Sequence, residues 1–352
     1  MPQPLRIGLI GAGEVSRFHA MGYQESEGSK VVAIADKEIV RANARAQELG
    51  APRTYDSAEK LLKDPEVDAV DICVPGGYHA GIAISAAESG KHILLEKPMA
   101  TNVNDCDAII AAARRAGVTL MMAHSLRFFP PLMKCKEIVD AGGVGEMIKM
   151  RATLTSHFPY MDWRLDPAIA GGGVLTEYGV HPIYLTDWFI GPIARVTALT
   201  RNSREDSKTE DAAYAILESK GGAHGIIDVN LGGPLPLWDD HIEFVGTKGL
   251  LTLNGIEMQT FRGPPLLHYQ DDGLWRVYRE KTFQWPGAPD LPNEIDWKYT
   301  NCFVNEIREF ASSVLEGRPP LVTGEDGRRS IQILQACYES ANSGKVVEIP
   351  RG

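Results

Sequence analysis

A short apolar segment leads directly into closely spaced glycines near the start of the chain. Leu5–Ile10 has the composition of a buried strand, glycines follow at positions 11 and 13, and a helical pattern begins at Val15. Glycines between a strand and a helix let the backbone approach a diphosphate closely, and free N–H groups at the helix N-terminus face its negative charge. Because the glycines open a βαβ unit, the pattern predicts that a dinucleotide diphosphate is bound by Gly11, Gly13, Glu14 and Val15.

An acidic residue at the end of the second apolar segment completes this pattern. Asp36 follows Val31–Ala35 and lies 23 residues beyond Gly13. A carboxylate in this position accepts hydrogen bonds from the ribose hydroxyls of adenosine and repels a 2′-phosphate, so it favours NAD over NADP. Lys37 moderates the preference, because an ammonium beside Asp36 tolerates the additional phosphate. The alternative role of Asp36 is to cap the helix that follows.

The first 123 residues alternate apolar runs with helical patterns. Further runs lie at Ala69–Val74, His92–Leu95 and Thr119–Ala123. Strands and helices in alternation indicate βαβ units with right-handed crossovers. A chain of 352 residues also exceeds what one hydrophobic core usually organises. We therefore expect an α/β protein with an N-terminal Rossmann domain, a doubly wound parallel sheet at residues 1–123, and a second domain at residues 124–352.

The pattern changes after residue 123. Longer runs of alternating apolar and polar residues, from Met147–Ser156 to Leu250–Leu253, are typical of half-exposed antiparallel strands. A helix is expected at Val174–Phe189 and an irregular segment at 263–298. The second domain is thus predicted to be an α/β domain with a large, mostly antiparallel open sheet. An apolar outer face needs a cover, and a second subunit is the usual one, so we expect a homodimer or homotetramer.

Charge and cysteine content exclude several classes of protein. Lys and Arg number 36 against 46 Asp and Glu, and the net charge of −10 argues against nucleic acid or an anionic membrane as the partner. No apolar run is long enough to span a membrane, and the start of the chain lacks the pattern of a signal peptide. Five scattered cysteines indicate reduced thiols and a cytoplasmic location. The nine histidines are dispersed as well, so no metal site is expected.

A charged pair follows the strand predicted at His92–Leu95. Glu96 and Lys97 stand immediately before Pro98, at the carboxyl end of that strand. Ligands of doubly wound sheets bind at this edge. For an isolated lysine a solvated surface position would be the better interpretation, but the position of Lys97 predicts a functional side chain.

Several segments together resemble the glucose–fructose oxidoreductase, inositol dehydrogenase and rhizopine catabolism (Gfo/Idh/MocA) family. They follow the family order from residue 5 to residue 349. The matching segments are the N-terminal glycine loop, Val74-Pro75 with His79, Gly90–Pro98, Arg127-Phe128 with Pro130, Gly142–Gly145, Trp163-Arg164 and Gly171–His181.

The resemblance implies hydride transfer between a nicotinamide and a secondary alcohol of a sugar or polyol. It also implies that Lys97 is the catalytic lysine and His181 the catalytic histidine. Dimer or tetramer contacts are expected through the open sheet. The residues expected to contact the cofactor, besides those of the glycine loop, are Asp36, Lys37, Val74, Pro75, His79, Glu96 and Lys97.

The chemistry assigns a role to each of three residues. Oxidation removes a proton from oxygen while hydride leaves carbon, and an imidazole such as that of His181 titrates near physiological pH. Glu177 precedes it by four residues, a spacing that places both on one helix face. This carboxylate orients the imidazole or binds a substrate hydroxyl. Lys97 supplies positive charge where an alkoxide develops. The alternative for His181 is a buried core histidine.

The chain departs from the family pattern at three places. Glu177 stands where Asp is usual, Tyr184 stands where a second Asp is often found, and Gly76-Gly77 replaces an Asn that commonly follows Pro75. Because Glu177 keeps the carboxylate and reaches one methylene further, we expect a reshaped substrate pocket with the chemistry retained.

Further substrate contacts are expected from polar and aromatic residues. Arg164 has a surface or interdomain ion pair as its alternative, and His124 has a packing role as its alternative. The candidates besides Lys97, Glu177 and His181 are His124, Arg127, His157, Asp162, Trp163 and Arg164.

Two other functions use the same cofactor. A redox-assisted glycosidase would oxidise a sugar transiently, eliminate the aglycone and reduce the product with its own NADH. A non-enzymatic sensor would bind NAD and a partner protein. Retention of Lys97, Glu177 and His181 argues against the sensor, which needs none of the three. The leading interpretation is an NAD-dependent dehydrogenase, with NADP as the second choice of cofactor.

Overall fold

The chain forms two compact units. The computed structural model describes residues 3–156, 162–205, 207–232, 239–254, 266–270, 275–279, 294–296 and 301–350. The first unit comprises Met1–Phe128, Ala168–Gly171 and Asn301–Ile331, and the second comprises Phe129–Pro167, Gly172–Thr300 and Gln332–Gly352. The first unit therefore includes residues 124–128 and two later segments, all of which the sequence-based boundary at residue 123 assigns to the second domain.

A six-stranded parallel sheet forms the centre of the first unit. Its strands are β1 (Leu5–Ile10), β2 (Ser29–Ala35), β3 (Arg53–Tyr55), β4 (Ala69–Ile72), β5 (His92–Glu96) and β6 (Leu120–Ala123). Their order is β3-β2-β1-β4-β5-β6, and every neighbouring pair is parallel. This is the order of a doubly wound Rossmann sheet, so the prediction for the N-terminal half is confirmed.

Helices connect these strands as the sequence pattern predicts. They are α1 (Val15–Gln24), α2 (Ile39–Leu49), α3 (Ala58–Leu62), α4 (His79–Glu88) and α5 (Val103–Ala116). Asn102 caps α5 by accepting a hydrogen bond from the backbone N–H of Asp105 at 2.9 Å. Gly117 ends the helix in the left-handed conformation at φ 67°, which glycine adopts without steric cost.

A ten-stranded sheet dominates the second unit. Its strands are β7 (Met147–Thr155), β8 (Ile193–Arg201), β9 (Ala212–Ser219), β10 (His224–Asn230), β11 (Asp239–Gly246), β12 (Gly249–Asn254), β13 (Leu266–Gln270), β14 (Trp275–Arg279), β15 (Glu294–Asp296) and β16 (Val347–Glu348). The order is β15-β14-β13-β12-β11-β7-β10-β9-β8-β16, with only β7–β10 and β14–β15 parallel among these described strands. The predicted mostly antiparallel sheet is confirmed. The irregular segment expected at 263–298 instead contributes three of its strands.

The remaining helices complete both units. They are α6 (Pro130–Asp140), α7 (Pro167–Ala170), α8 (Val174–Glu177), α9 (Val180–Ile190), α10 (Cys302–Glu316) and α11 (Gly324–Ser343). Within the first unit α10 packs on α1, where the rings of Phe18 and Phe303 stack with centroids 5.4 Å apart. This contact places residues from the end of the chain in the first unit. Within the described residues, no helix has the length and apolar character needed to cross a membrane.

One face of the large sheet carries exposed apolar side chains. Leu199 on β8 is opposite Tyr214 on β9, and Ile216 on β9 is opposite Ile226 on β10. Leu199 is 65% exposed and Ile216 is 51% exposed in the single chain. We call the patch formed by these four residues the outer apolar face. Neighbouring positions such as Ala213 and Ala215 point to the other side and are buried, as the two-residue period of a strand requires.

Candidate functional site

The glycine loop after β1 is tight at one point and open at another. Gly11 has φ 97°, and a Cβ atom there would lie 2.5 Å from the carbonyl oxygen of Cys73, so the loop passes directly over the end of β4. A Cβ atom at Gly13 would meet nothing within 4 Å. The loop therefore leaves room for a ligand beside Gly13, where the helix α1 begins. Val15 is partly exposed and Glu14 is exposed at this end of the helix.

Dinucleotide-binding loops commonly follow the pattern GxGxxG, with glycine or alanine at the third position, and this chain has Ser16 there. Its side chain is fully buried, and its hydroxyl donates a hydrogen bond of 2.7 Å to the carbonyl oxygen of Gly13. A serine is small enough for this close packing, and its hydroxyl ties the loop to the first turn of the helix. The departure from glycine or alanine thus keeps the loop shape.

Asp36 links the glycine loop to the start of α2. Its Oδ2 accepts a hydrogen bond of 2.8 Å from the backbone N–H of Ala12, and its Oδ1 accepts one of 2.8 Å from that of Glu38. Both sequence-based roles are compatible with this geometry. Each carboxylate oxygen has two lone pairs, which leaves acceptor capacity for a ribose hydroxyl. Lys37 is exposed beside it.

The two charged residues at the end of β5, Glu96 and Lys97, differ in their exposure. Glu96 is buried, with its Oε2 accepting the backbone N–H of Lys97 at 2.9 Å and its Oε1 2.9 Å from Nε2 of His19. The sequence predicts Glu96 as a cofactor contact, whereas the structure gives both oxygens partners inside the unit. The side chain of Lys97, the next residue, is partly exposed.

His79 is likewise directed into the interior. Its Nδ1 lies 2.8 Å from the carbonyl oxygen of Pro98, and its Nε2 lies 2.7 Å from that of Val74. Burial lowers the pKa of this imidazole. His79 thus ties the end of β4, where Val74 and Pro75 are half-buried, to the turn after Lys97.

The glycine pair in place of the common Asn has a steric reason. A Cβ atom at Gly77 would lie 2.8 Å from the carbonyl oxygen of Ile169, and one at Gly76 would lie 3.2 Å from Cγ of Pro98. A side chain at Gly77 would therefore require the backbone around Ile169 to move. This departure from the family pattern fits the local packing of the first unit.

Two candidate residues follow β6. His124 is buried, and burial together with the positive charge of Lys97 lowers its pKa to about 3. The imidazole is therefore neutral at physiological pH and a weak proton acceptor. Arg127 is half-buried in the turn that follows, where its backbone N–H donates to the carbonyl oxygen of His124 at 2.8 Å.

Glu177 and His181 lie in the second unit, on two helices. The single helix expected at Val174–Phe189 is interrupted after Glu177, and the prediction that both residues share one helix was wrong. Pro182 has no N–H to donate to the carbonyl oxygen of Tyr178 four residues earlier. The backbone N–H of His181 donates to that oxygen instead, at 3.1 Å. The His181 side chain is buried, at 7% exposure.

Three predicted substrate residues meet in the second unit. The Nε of Arg164 lies 3.4 Å from Oε1 of Glu177. The guanidinium carbon of Arg164 lies 4.4 Å from the centre of the Trp163 ring, which is the geometry of a cation–π contact. Arg164 therefore forms a half-buried ion pair within its own unit, and its partner is another predicted substrate residue. His157 and the side chain of Asp162 lie outside the described residues.

A buried carboxylate holds the start of α8, and the sequence does not reveal it. Glu210 accepts hydrogen bonds from the backbone N–H groups of Gly173 at 2.9 Å and Leu175 at 3.1 Å, and from the hydroxyl of Tyr338 at 2.7 Å. Burial raises the pKa of Glu210, while these donors favour its ionised form. Glu210 is more than 30 residues from Gly173 and Leu175 and more than 120 from Tyr338, and no motif joins them. Glu210 and Tyr338 position the short helix that carries Glu177.

The chain is similar to known oxidoreductases. A family described as oxidoreductases with an NAD-binding Rossmann fold matches residues 5–124, and the GFO/IDH/MocA C-terminal domain matches residues 132–252. The D-xylose 1-dehydrogenase (NADP(+)) 2 of Haloferax volcanii is 31% identical over 97% of this chain and 98% of its own. The myo-inositol 2-dehydrogenase of Thermotoga maritima is 27% identical over 98% of each chain. The crystal structure of an oxidoreductase domain protein from Kribbella flavida superimposes with a TM-score of 0.86, at 26% identity over 99% of this chain and 100% of that one.

Proposed function

Because the chain belongs to the Gfo/Idh/MocA family of NAD-binding oxidoreductases, we propose that it oxidises a secondary hydroxyl of a sugar or polyol. The observation that carries the proposal is the ion pair between Arg164 and Glu177, with Glu177 four residues before the buried His181. A carboxylate held by a guanidinium can accept hydrogen bonds from vicinal hydroxyl groups. The names of the relatives, a xylose and an inositol dehydrogenase, support this substrate class.

The residues divide the work of the reaction. When bound, NAD supplies the hydride acceptor, and the protein orients it. His181 takes the proton of the hydroxyl that is oxidised, and Lys97 supplies positive charge to the oxygen as that proton leaves. Glu177 and Arg164 bind a neighbouring hydroxyl and set the orientation of the sugar. His124 is not the base, since its low pKa makes it a poor proton acceptor.

Cofactor choice follows from the end of β2. Asp36 accepts the ribose hydroxyls and repels a 2′-phosphate, so NAD is the preferred cofactor. Lys37 lies next to it and lessens that repulsion, which makes NADP the second choice. The name of the Haloferax volcanii relative includes NADP(+), which supports NADP as a possible cofactor beside NAD.

The proposal also includes an interface between copies of this chain. The outer apolar face of Leu199, Tyr214, Ile216 and Ile226 is exposed in the single chain. A contiguous apolar patch on a sheet is the kind of surface that a second copy covers, and symmetric pairing is the commonest way to cover it. We therefore propose a homodimer or homotetramer built through this face.

The experiment that tests the function is a substrate panel. Purified protein is incubated with sugars, inositols and glycosides, with NAD or NADP, and NADH or NADPH formation is followed by absorbance. A dehydrogenase releases one equivalent of reduced cofactor for each substrate oxidised. Glycoside cleavage without release of NADH would identify the redox-assisted glycosidase instead. Cofactor binding without turnover of any compound would indicate a sensor.

A further inference from the structure

A cluster of ionisable side chains is buried beneath the carboxyl ends of β4 and β5. His19 on α1 is 0% exposed, with its Nδ1 2.8 Å from Oδ2 of Asp71 and its Nε2 2.9 Å from Oε1 of Glu96. Tyr23 donates a hydrogen bond of 3.0 Å to the same oxygen of Asp71. The ring of Phe303, 5.5 Å away, closes the cluster from the side of α10. His19 thus joins two strands of the sheet through their acidic residues.

The distances favour an ion-pair network. A neutral imidazole donates one proton, so it would leave one of the two buried carboxylates facing a lone pair, which is costly inside a protein. An imidazolium donates to both. Burial on its own lowers the pKa of His19, but the charges of Asp71 and Cys73 and their hydrogen bonds together raise it well above the usual value.

Further acidic side chains around His19 are also buried. Burial raises the pKa of Glu306 on α10 and of the thiols of Cys73 and Cys302, and Cys73 donates a hydrogen bond to Asp71 at 3.3 Å. Ligand-type atoms of His19, Asp71 and Cys73 lie within 4.8 Å of one another. A zinc ion would need each donor at about 2.0–2.3 Å and would have to replace the direct imidazole–carboxylate bonds. The geometry therefore favours the hydrogen-bonded network over a metal site.

One end of the network touches the backbone of the proposed catalytic lysine. Glu96 binds His19 with Oε1 and accepts the N–H of Lys97 with Oε2. We propose that His19 is a positioning residue, which fixes the Glu96 carboxylate and through it the backbone from which Lys97 reaches the substrate. This inference rests on the role of Lys97 in the proposed function.

Substitutions at both ends of the His19–Glu96 bond test the inference. His19→Gln and Glu96→Ala are expected to lower kcat ~10- to 100-fold, since small displacements of a reacting group have effects of this size. The dissociation constant of NADH should change by less than about threefold, because the glycine loop and Asp36 are untouched. Glu96→Gln keeps an acceptor for the N–H of Lys97, and its amide can donate to a neutral His19. We expect it to lower kcat by a smaller factor than Glu96→Ala.

His92→Gln is the matched control. His92 lies at the opposite end of β5, where its Nδ1 accepts the backbone N–H of Thr119 at 3.0 Å. The same substitution there should leave kcat unchanged. A His19→Gln protein with lower thermal stability but wild-type kcat would show that the network is merely structural and overturn the proposal. Equal losses of kcat in Glu96→Gln and Glu96→Ala would also overturn it.

Two measurements are independent of dehydrogenase activity. In wild-type protein labelled with ¹⁵N-histidine, NMR should detect protons on both ring nitrogens of His19 at neutral pH, and a neutral ring would contradict the network. Reductive methylation of Lys97, followed by peptide mass spectrometry, should change in rate in His19→Gln and not in His92→Gln. An unchanged rate would overturn the inference. If these expected results appear while no substrate is oxidised, the positioning role stands and the proposed function fails.

Discussion

The Nε of Arg164 lies 3.4 Å from Oε1 of Glu177, so a guanidinium holds the carboxylate that stands where the family usually has aspartate. One oxygen of the longer glutamate side chain is therefore directed towards Arg164. The contact of Arg164 with the Trp163 ring orients the guanidinium in turn. Glu177, which stands in place of the usual aspartate, is thus accompanied by the contacts of Arg164 with its carboxylate and with the Trp163 ring.

Glu177→Asp is expected to shift substrate preference more than rate. The shorter side chain cannot keep the 3.4 Å contact with Arg164 and bind a substrate hydroxyl in the same place. The ratio of kcat/KM values between the two best sugars should change by about tenfold, while the highest kcat falls by less. Glu218→Asp, which alters an exposed pair with Arg195, serves as the control and should change neither. A Glu177→Asp enzyme with the wild-type ranking of substrates would contradict the assignment of Glu177 to the substrate.

Asp36→Ala is expected to narrow the preference for NAD over NADP. The substitution removes the repulsion of a 2′-phosphate and also the acceptor for the N–H of Ala12. Asp36→Asn separates the two effects, because it keeps an acceptor oxygen without the charge. Measured kcat/KM values for both cofactors should therefore converge in both variants, with the larger loss of NAD activity in Asp36→Ala. A wild-type enzyme that prefers NADP would refute the role given to Asp36.

The type of each sheet and most of its strands can be predicted from the sequence, because local apolar patterns determine where strands and helices form. The run at Leu5–Ile10 and the glycines after it suffice to predict the first βαβ unit. The break between Glu177 and His181 could have been suspected from Pro182, whose missing N–H disrupts the helix. The three short strands within 263–298 are difficult to predict, since Pro, Gly and Trp mask their alternation.

The residues that hold the candidate site residues in place cannot be predicted from local sequence patterns. His19, Asp71 and Glu96 come from three elements separated by more than 20 residues each, and only the folded sheet brings them together. Glu210 reaches the start of α8 from a position beyond β8, and Tyr338 reaches it from α11. A single sequence contains no signal for such pairs. Residues at strand ends, such as Lys97, are easier to assign because the edge of a parallel sheet is where ligands bind.

The buried His124 should make stability decrease in acid. Its pKa is about 3 in the folded protein and near 6.5 when unfolded, so between these values the unfolded chain binds a proton that the folded chain does not. The free energy of unfolding therefore falls as pH decreases from 6.5 towards 3, by on the order of 2 kcal/mol at pH 5 from this residue. Urea denaturation at pH 7 and pH 5 should show a smaller difference for His124→Gln than for wild type. The exposed His224→Gln is the control, and an unchanged pH dependence in His124→Gln would contradict the prediction.

The outer apolar face should hold two subunits together. Light scattering is expected to give at least twice the 38.5 kDa of one chain. Ile216→Asp places a charge in the middle of the face and should shift the protein towards monomers without unfolding it, since the side chain is half-exposed already. Val40→Asp, at an exposed position on α2, should leave the mass unchanged. A monomeric wild-type protein at micromolar concentration would show that this face is not an interface.

The most direct test of the account is the rate of NADH formation by Lys97→Ala, His181→Ala and the double variant on the best substrate. Each single substitution removes a group that acts on the proton or the developing alkoxide, so each should lower kcat ~10²- to 10⁴-fold while NADH affinity stays nearly unchanged. Because the two groups serve the same step, the double variant should lose far less than the product of the two single losses. Activity of His181→Ala within a few-fold of wild type would contradict the central claim that His181 is the base.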